Sequence, residues 1–216
     1  MATNILSLPL LQVAFRTATN ESWRDGVAFT AAGFIAGYPT GGNTGTGILA
    51  DLSVSIGAYL GNYLVTLSSA TQYRVTDPDG YVIGSGIVNV PNTFSGVSLT
   101  LIAGSTPFAA GDTFTLVVLP KPLDITGIRF AMAMRATAGQ ATIALSADTL
   151  DGTLINGGAS GVLGIAVPLS VMEKVATSPA DVPYVLDIVA LADGEQRQCV
   201  SGTNAVVAGI TFPLSA

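Results

Sequence analysis

The run Ile128-Arg-Phe-Ala-Met-Ala-Met-Arg135 places Ile128, Phe130, Met132 and Met134 on one side and Arg129 and Arg135 on the other. Apolar residues at every second position mark a strand half-buried against a core, because successive side chains of an extended chain point to opposite faces. The same alternation recurs in Tyr184-Val-Leu-Asp-Ile-Val-Ala-Leu191, where Tyr184, Leu186, Ile188 and Ala190 share a face. Asp193-Gly194 follows as a hairpin turn into Gln196-Arg-Gln-Cys-Val200, since both residue types tolerate the left-handed backbone of a two-residue loop. Outward from this region the chain keeps one signature, short β-rich runs bounded by Gly, Pro, Asn or Asp. Leu10–Phe15, Asp25–Thr30, Leu64–Leu67, Tyr73–Thr76, Tyr81–Ile83, Gly86–Val90, Val97–Ile102, Thr113–Val118, Ala141–Ser146 and Val162–Val167 are such runs. Asp77-Pro-Asp-Gly80 between two of them is a turn with Pro early and Gly late. A single helix is expected, Pro168 to Ala176, with Leu169, Met172 and Val175 three apart and Pro179 ending it. The expected fold class is all-β.

Composition removes much chemistry. The 216 residues are 49% hydrophobic and only 10% charged, with a net charge of −6, no histidine and one cysteine, against about 25% charged in an average soluble chain. Mean hydropathy is +0.58. Without histidine the commonest general base and zinc ligand are missing, and a lone Cys199 excludes an internal disulfide framework or CxxC site. Eight basic residues against fourteen acidic ones argue against binding nucleic acid by phosphate neutralisation. Met1–Gln12 has no basic n-region, so no secretory signal is expected. The uncharged stretch Leu52–Gln72 is interrupted by Gly57, Gly61 and Asn62 and reads as strand–turn–strand rather than a membrane span.

Glycine and threonine peak at Gly37-Tyr-Pro-Thr-Gly-Gly-Asn-Thr-Gly-Thr-Gly47, read as a flexible linker. Leu119-Pro-Lys-Pro122 marks a second boundary. Residues 38–118 then form a small β domain inserted into a host made of 1–36 and 119–216, whose first flank has too few strands to bury a core alone. Such an insertion is thermodynamically mild, because closure entropy grows slowly with loop length.

The flanks carry Leu8-Pro-Leu10, Asn20-Glu-Ser-Trp-Arg-Asp-Gly-Val-Ala-Phe29, Pro122-Leu-Asp-Ile-Thr-Gly-Ile-Arg-Phe130, Asn156-Gly-Gly, Tyr184-Val-Leu-Asp187 and Asp193-Gly194. This succession resembles small immunoglobulin-like proteins encoded among the tail and virion genes of tailed phages. In that pattern the P-L-D-L-T-G segment follows the W-x-D-G strand after a short hairpin, whereas here the insert separates them. The insert carries Gly61-Asn-Tyr-Leu-Val-Thr66, Val75-Thr-Asp-Pro-Asp-Gly80 and Ile102-Ala-Gly-Ser-Thr-Pro-Phe-Ala-Ala-Gly-Asp-Thr-Phe114. It is similar to a β module of lambda-type phage head decoration proteins. The resemblance implies an immunoglobulin-like β-sandwich interrupted by a decoration-like domain, and no enzyme. It further implies a virion location after assembly in the host cytoplasm, homo-oligomerisation, and capsid, neck or tail subunits as partners. No catalytic, cofactor or metal residue transfers, and neither nucleic acid nor a membrane is an expected partner.

Individual residues have competing readings. Asp77, Asp79 and Asp112 offer oxygen ligands for calcium, but without a D-x-D-x-D-G loop they read as turn and strand-opening residues. Asp124 either pairs with Arg129 or Arg135 or solvates a strand edge. Asp148 and Asp151, as a glycosidase pair, are opposed by a Gly-containing turn that they would simply solvate. Gly41-Gly-Asn-Thr-Gly-Thr-Gly47 lacks the lysine and following helix of a phosphate loop. There is no G-x-S-x-G elbow with a base. Trp23 reads as a core or domain-seam anchor ahead of a partner hot spot. Cys199 reads as a buried small hydrophobe, with an intersubunit disulfide as the alternative. Tyr38, Tyr59, Tyr63 and Tyr81, if exposed, would suit stacking on a surface glycan. The arm Ala2–Leu11 would add a strand to a neighbouring sheet.

Overall fold

The computed structural model describes residues 8–55, 57–178 and 182–208. In chain order the strands begin with β1 (Leu11–Ala18) and β2 (Trp23–Ala28). Then come β3 (Thr30–Pro39), β4 (Ile48–Val54), β5 (Gly61–Leu67), β6 (Gln72–Thr76) and β7 (Val82–Ile87). These are followed by β8 (Pro91–Phe94), β9 (Val97–Ile102) and β10 (Thr113–Pro122). The last group is β11 (Arg129–Arg135), β12 (Leu145–Asp148), β13 (Leu154–Asn156), β14 (Val162–Val167), β15 (Tyr184–Ala192) and β16 (Glu195–Val207), with one helix, α1 (Leu169–Met172), before β15. The chain is all-β, as its alternation dictates. It divides into two compact units: residues up to Phe29 together with those from Pro122 onward, and Thr30–Lys121.

The first unit has a five-stranded sheet in the order β1-β16-β15-β11-β12 and a three-stranded sheet in the order β13-β14-β2. β11 pairs antiparallel with β15, Met132 opposite Ile188, and β1 pairs in parallel with β16, Leu11 opposite Val200. Phe130, Met134, Ile188 and Leu163 are fully buried between the sheets with Trp23 and Phe29. Phe29 stacks on Phe130 at 5.8 Å and Phe15 meets Trp23 edge-on at 5.4 Å, and truncating such a ring costs about 3–5 kcal/mol. One buried polar pair lies in this core: Asn204 Nδ2 donates to Thr17 Oγ1 at 3.1 Å, and the Thr17 hydroxyl donates back to Asn204 Oδ1 at 3.3 Å.

The chain leaves this unit after Phe29 and returns beside it, with Leu123 N–H bonded to Phe29 O at 3.0 Å and Phe29 N–H to Gly161 O at 2.8 Å. Asn156 locks the returning segment. Its Nδ2 donates to the carbonyls of Ile125 and Ile128, at 2.8 and 2.7 Å. Its Oδ1 accepts from Gly158 N–H at 2.8 Å. Two motifs far apart in sequence, P-L-D-I-T-G-I and N-G-G, are thus one structural feature.

The second unit pairs a five-stranded sheet, β3-β10-β5-β6-β7, with a three-stranded sheet, β4-β9-β8. Tyr63, Val65, Val75, Val97, Leu99, Leu101 and Leu116 are fully buried in its core. The Gly37–Gly47 stretch corrects the linker expectation. Its first three residues end β3, and the Cβ position at Gly37 is already occupied by Leu49, Leu52 and Leu116 side chains. The loop beyond is fastened by Asp112, whose Oδ1 accepts from Thr44 N–H at 2.7 Å and whose Oδ2 accepts from Gly45 N–H at 2.9 Å. Asn43 adds a reciprocal pair with Thr113, Nδ2 to the carbonyl at 2.7 Å and N–H to Oδ1 at 2.8 Å.

Other boundaries differ for local reasons. Tyr81–Ile83 and Gly86–Val90, expected as two runs, are mostly one strand, β7, because Gly84 and Gly86 lie where the Phe94 and Tyr73 rings fill the side-chain space. The Ala141–Ser146 run contributes only its end to β12, which continues to Asp148. The helix is shorter than Pro168–Ala176. After Met172 the bonding tightens to three-residue spacing, Lys174 N–H to Val171 O and Val175 N–H to Met172 O, the period that the Leu169, Met172, Val175 pattern supplies. Pro179 and most of the Ala2–Leu11 arm lie outside the described residues.

Candidate functional site

The acidic residues singled out above shape loops. Asp77 Oδ1 accepts from Asp79 N–H at 3.1 Å and Tyr81 N–H at 2.8 Å, closing the Asp77–Gly80 turn. Asp112 is 4% exposed and also accepts from Ala109 N–H at 3.0 Å. Burial pushes its carboxyl up, but the N–H groups of Ala109, Thr44 and Gly45 outweigh it and hold the pKa below 3.8. Asp124 does not pair with either arginine: its Oδ1 accepts from Thr126 N–H at 3.0 Å. Arg129 instead forms a bidentate pair with Asp148, 2.6 Å at its shortest, and Arg135 lies 3.8 Å from Asp187. Asp148, whose pKa is lowered chiefly by Arg129, is thus held as a charged partner of that guanidinium. Asp151 caps Thr153 N–H at 2.9 Å, and its pKa is lowered chiefly by the Thr153 hydroxyl. Both carboxylates are therefore held ionised, which removes the raised-pKa acid a glycosidase pair requires. Among the described residues no group of three or more His, Cys, Asp or Glu side chains is placed to hold a metal ion.

Trp23 is a core residue, 1% exposed, its Nε1–H bonded to Asp25 Oδ2 at 3.1 Å. Cys199 is fully buried on β16 and donates to Ile188 O at 3.4 Å. Burial raises its thiol pKa to about 11. A thiol in that position cannot reach a neighbouring subunit, so the intersubunit disulfide is set aside. Tyr63 corrects the tyrosine expectation: it is buried, with its hydroxyl accepting from Tyr59 N–H at 2.7 Å. Tyr38, Tyr59 and Tyr81 are 50%, 57% and 72% exposed.

Two surfaces have distinct character. On the first unit, a shallow basin of about 240 Å³ lies on the outer face of β11, β15 and β16, lined by Ala133, Arg135, Asp187, Gln198, Ser201 and Gly202. Its floor is a cross-strand row in which Ala133 opposes Asp187, Asp187 opposes Ser201, and Ser201 opposes Gln12. Ser201 Oγ donates to Gln12 Oε1 at 3.4 Å. On the second unit, strand alternation turns two rows of β10, β5, β6 and β7 outward. They are Thr115, Leu64, Thr76, Val82 and Thr113, Thr66, Arg74, Ser85. Leu64 and Val82 are 40% and 58% exposed there, and Arg74 is the one charge in the two rows. Sequence reading did not find this face, because the outward residues are the ones that alternation leaves as background.

No protein-family model matches the chain, and no curated protein matches it. Solved structures to which it is similar include FlgL of Xanthomonas campestris, 24% identical with a TM-score of 0.34, covering 42% of this chain and 30% of that one. The flagellar hook junction protein FlgK of Burkholderia pseudomallei is 16% identical with a TM-score of 0.35, covering 81% of this chain and 38% of that one. The chain thus spans about a third of the length of each. No helix among the described residues is long and apolar enough to cross a membrane.

Proposed function

We propose that this chain is a non-enzymatic structural component of a tailed-bacteriophage particle, decorating or stabilising the capsid or the neck and tail through subunit contacts. The observation that carries the reading is the outward face of β10, β5, β6 and β7 in the second unit, where two rows of Thr, Ser, Leu and Val are interrupted by a single arginine. A charge-poor face with exposed Leu64 and Val82 suits burial by a neighbouring subunit, and symmetry multiplies weak contacts into a stable lattice. The phage assignment is supported by the motif succession in both parts of the chain, with an immunoglobulin-like host and an inserted decoration-type domain. Quantitative mass analysis of purified particles tests it. Hundreds of copies per particle indicate capsid decoration, a low multiple of six or twelve indicates neck or tail, and absence from the particle overturns the reading.

A second reading is favoured by Tyr38, Tyr59 and Tyr81, all at least half exposed: a receptor- or glycan-binding module displayed on the tail. An array of bacterial surface glycans probed with the full chain decides it, and no signal at high protein concentration removes it.

A further inference from the structure

Sheet edges are where β proteins gain unwanted partners, and most edges here are blunted. β12, β13 and β8 have only four, three and four residues, and β8 opens on Pro91. β2 carries Arg24 and Asp25. β4 is bulged at Asp51, with φ of 51°, and β7 is bulged where Val75 and Thr76 pass Ile83. β3 ends in Pro39, and β4 residues Leu49 and Leu52 pack on its Gly37. β1 has none of the geometric devices and carries a single charge, Arg16. It is eight residues long without Gly, Pro or bulge, and among the described residues its one sheet neighbour is β16.

The direction of its free backbone groups follows from its C-terminal end. Thr19 N–H bonds Val207 O on β16 at 3.1 Å, whereas Ala18 N–H turns to Glu21 Oε1 at 3.2 Å. In a parallel ladder alternate residues direct both backbone groups to the same side. Odd-numbered residues of β1 therefore face β16, and Gln12, Ala14 and Arg16 direct their N–H and C=O groups to the open edge. The side chains of these three residues are also the exposed ones of the strand.

We propose that β1 pairs antiparallel with β1 of a second copy of this chain, about a two-fold axis at Ala14. This deepens the structural reading above by naming the partner at one edge. Of the registers that set even residues against even residues, this one alone employs all three open residues of each copy, forming six backbone hydrogen bonds. It sets Ala14 against Ala14 and Gln12 against Arg16, so the Gln12 amide oxygen meets a guanidinium and no like charges are opposed. A register centred on Arg16 would oppose two arginines. On the core side it brings the half-buried Val13 and Phe15 together, and the two five-stranded sheets become one continuous sheet.

Sedimentation of the full chain should show a dimer, and Ala14→Lys, which places two ammonium groups across the axis, should be monomeric with an unchanged thermal transition. Ala14→Cys, treated with a bismaleimide spanning about 8 Å, should crosslink to a dimer, since directly opposed residues lie about 5.5 Å apart. Gln12→Cys should not, because four residues of offset separate its two copies by about 14 Å; native Cys199 is fully buried and silent. A monomeric wild type, an Ala14→Lys variant that stays dimeric, or equal crosslinking at both positions overturns the proposal. These outcomes concern only the β1 edge, whereas absence from purified particles concerns the structural role.

Discussion

Asp112→Asn tests whether one carboxylate organises the glycine-rich loop of the second unit. The carboxylate accepts three backbone N–H groups, at 2.7 Å from Thr44, 2.9 Å from Gly45 and 3.0 Å from Ala109, while only 4% exposed. An amide of the same shape keeps one acceptor oxygen and turns an NH₂ toward donors. At least one bond to a charged acceptor is lost, about 1.5–3 kcal/mol, and the survivors fall to neutral strength. The sum is about 2–4 kcal/mol, or roughly 10–25 °C for a unit of this size. Differential scanning calorimetry reads the shift. Spectroscopy assigns it, because five of the six tyrosines, Tyr38, Tyr59, Tyr63, Tyr73 and Tyr81, lie in Thr30–Lys121 while Trp23, the single tryptophan, lies with Tyr184 in the other unit. Near-ultraviolet circular dichroism from tyrosine should lose its transition at lower temperature. The pH dependence supplies a second check. A carboxyl whose folded pKa is depressed stabilises the fold above its unfolded value, 3.8, and that contribution is lost as pH falls through the lower folded value. The gap between wild type and Asp112→Asn should therefore be full at neutral pH and shrink below about pH 4. A midpoint within about 2 °C of wild type at pH 7 would refute the reasoning.

Cys199 should resist a thiol-specific chromogenic reagent at pH 8 in the native protein and react stoichiometrically once denatured. Its raised pKa stabilises the fold below the unfolded value of 9.0 and is lost as pH rises toward about 11, so fast native labelling would contradict its burial. Thr100→Val should leave stability unchanged or raise it by about 1 kcal/mol, since the Thr100 hydroxyl is buried without a hydrogen-bond partner; a loss in chemical denaturation would reveal a bond at that hydroxyl. Gly86→Ala should destabilise by about 1–3 kcal/mol, because its new methyl would overlap the buried Tyr73 ring, and a neutral result in the same assay would show that the ring can move.

What was legible in the sequence was what period two and local turns encode. β11 and β15 stand nearly where alternation placed them, and β9 and β14 where β-rich runs between turn residues did. Asp193 and Gly194 both adopt positive φ, 51° and 80°, as a two-residue hairpin demands. The misses share a non-local cause. The end of β3, Gly37–Pro39, reads as linker because the core-facing position at Gly37 is filled by Leu49, Leu52 and Leu116 from elsewhere. β4 loses its alternation at the Asp51 bulge. The order of Thr44 and Gly45 depends on a carboxylate 68 and 67 residues away, which no window of local sequence contains. Tyr63 and Tyr81 were indistinguishable as residue types, yet the β5 register turns one into the core while the other ends a turn in solvent.

Several of the acidic residues are structural as well as charged. Asp77, Asp112, Asp124 and Asp151 accept backbone N–H groups, and Asp148 is bound by Arg129. These five of the fourteen acidic residues build turns or hold an arginine while keeping their charge. Geometry guards most edges against pairing: bulges on β4 and β7, brevity in β8, β12 and β13. Against that background the long, regular β1 edge has a consequence for salt dependence. Its proposed contact pairs Gln12 with Arg16 and brings no opposed ions together, so screening has little to weaken. Dimer dissociation constants measured from about 50 mM to 0.5 M sodium chloride should differ by less than about threefold. A steep rise with salt would mean that ion pairs on another surface, rather than the β1 backbone, hold the copies together.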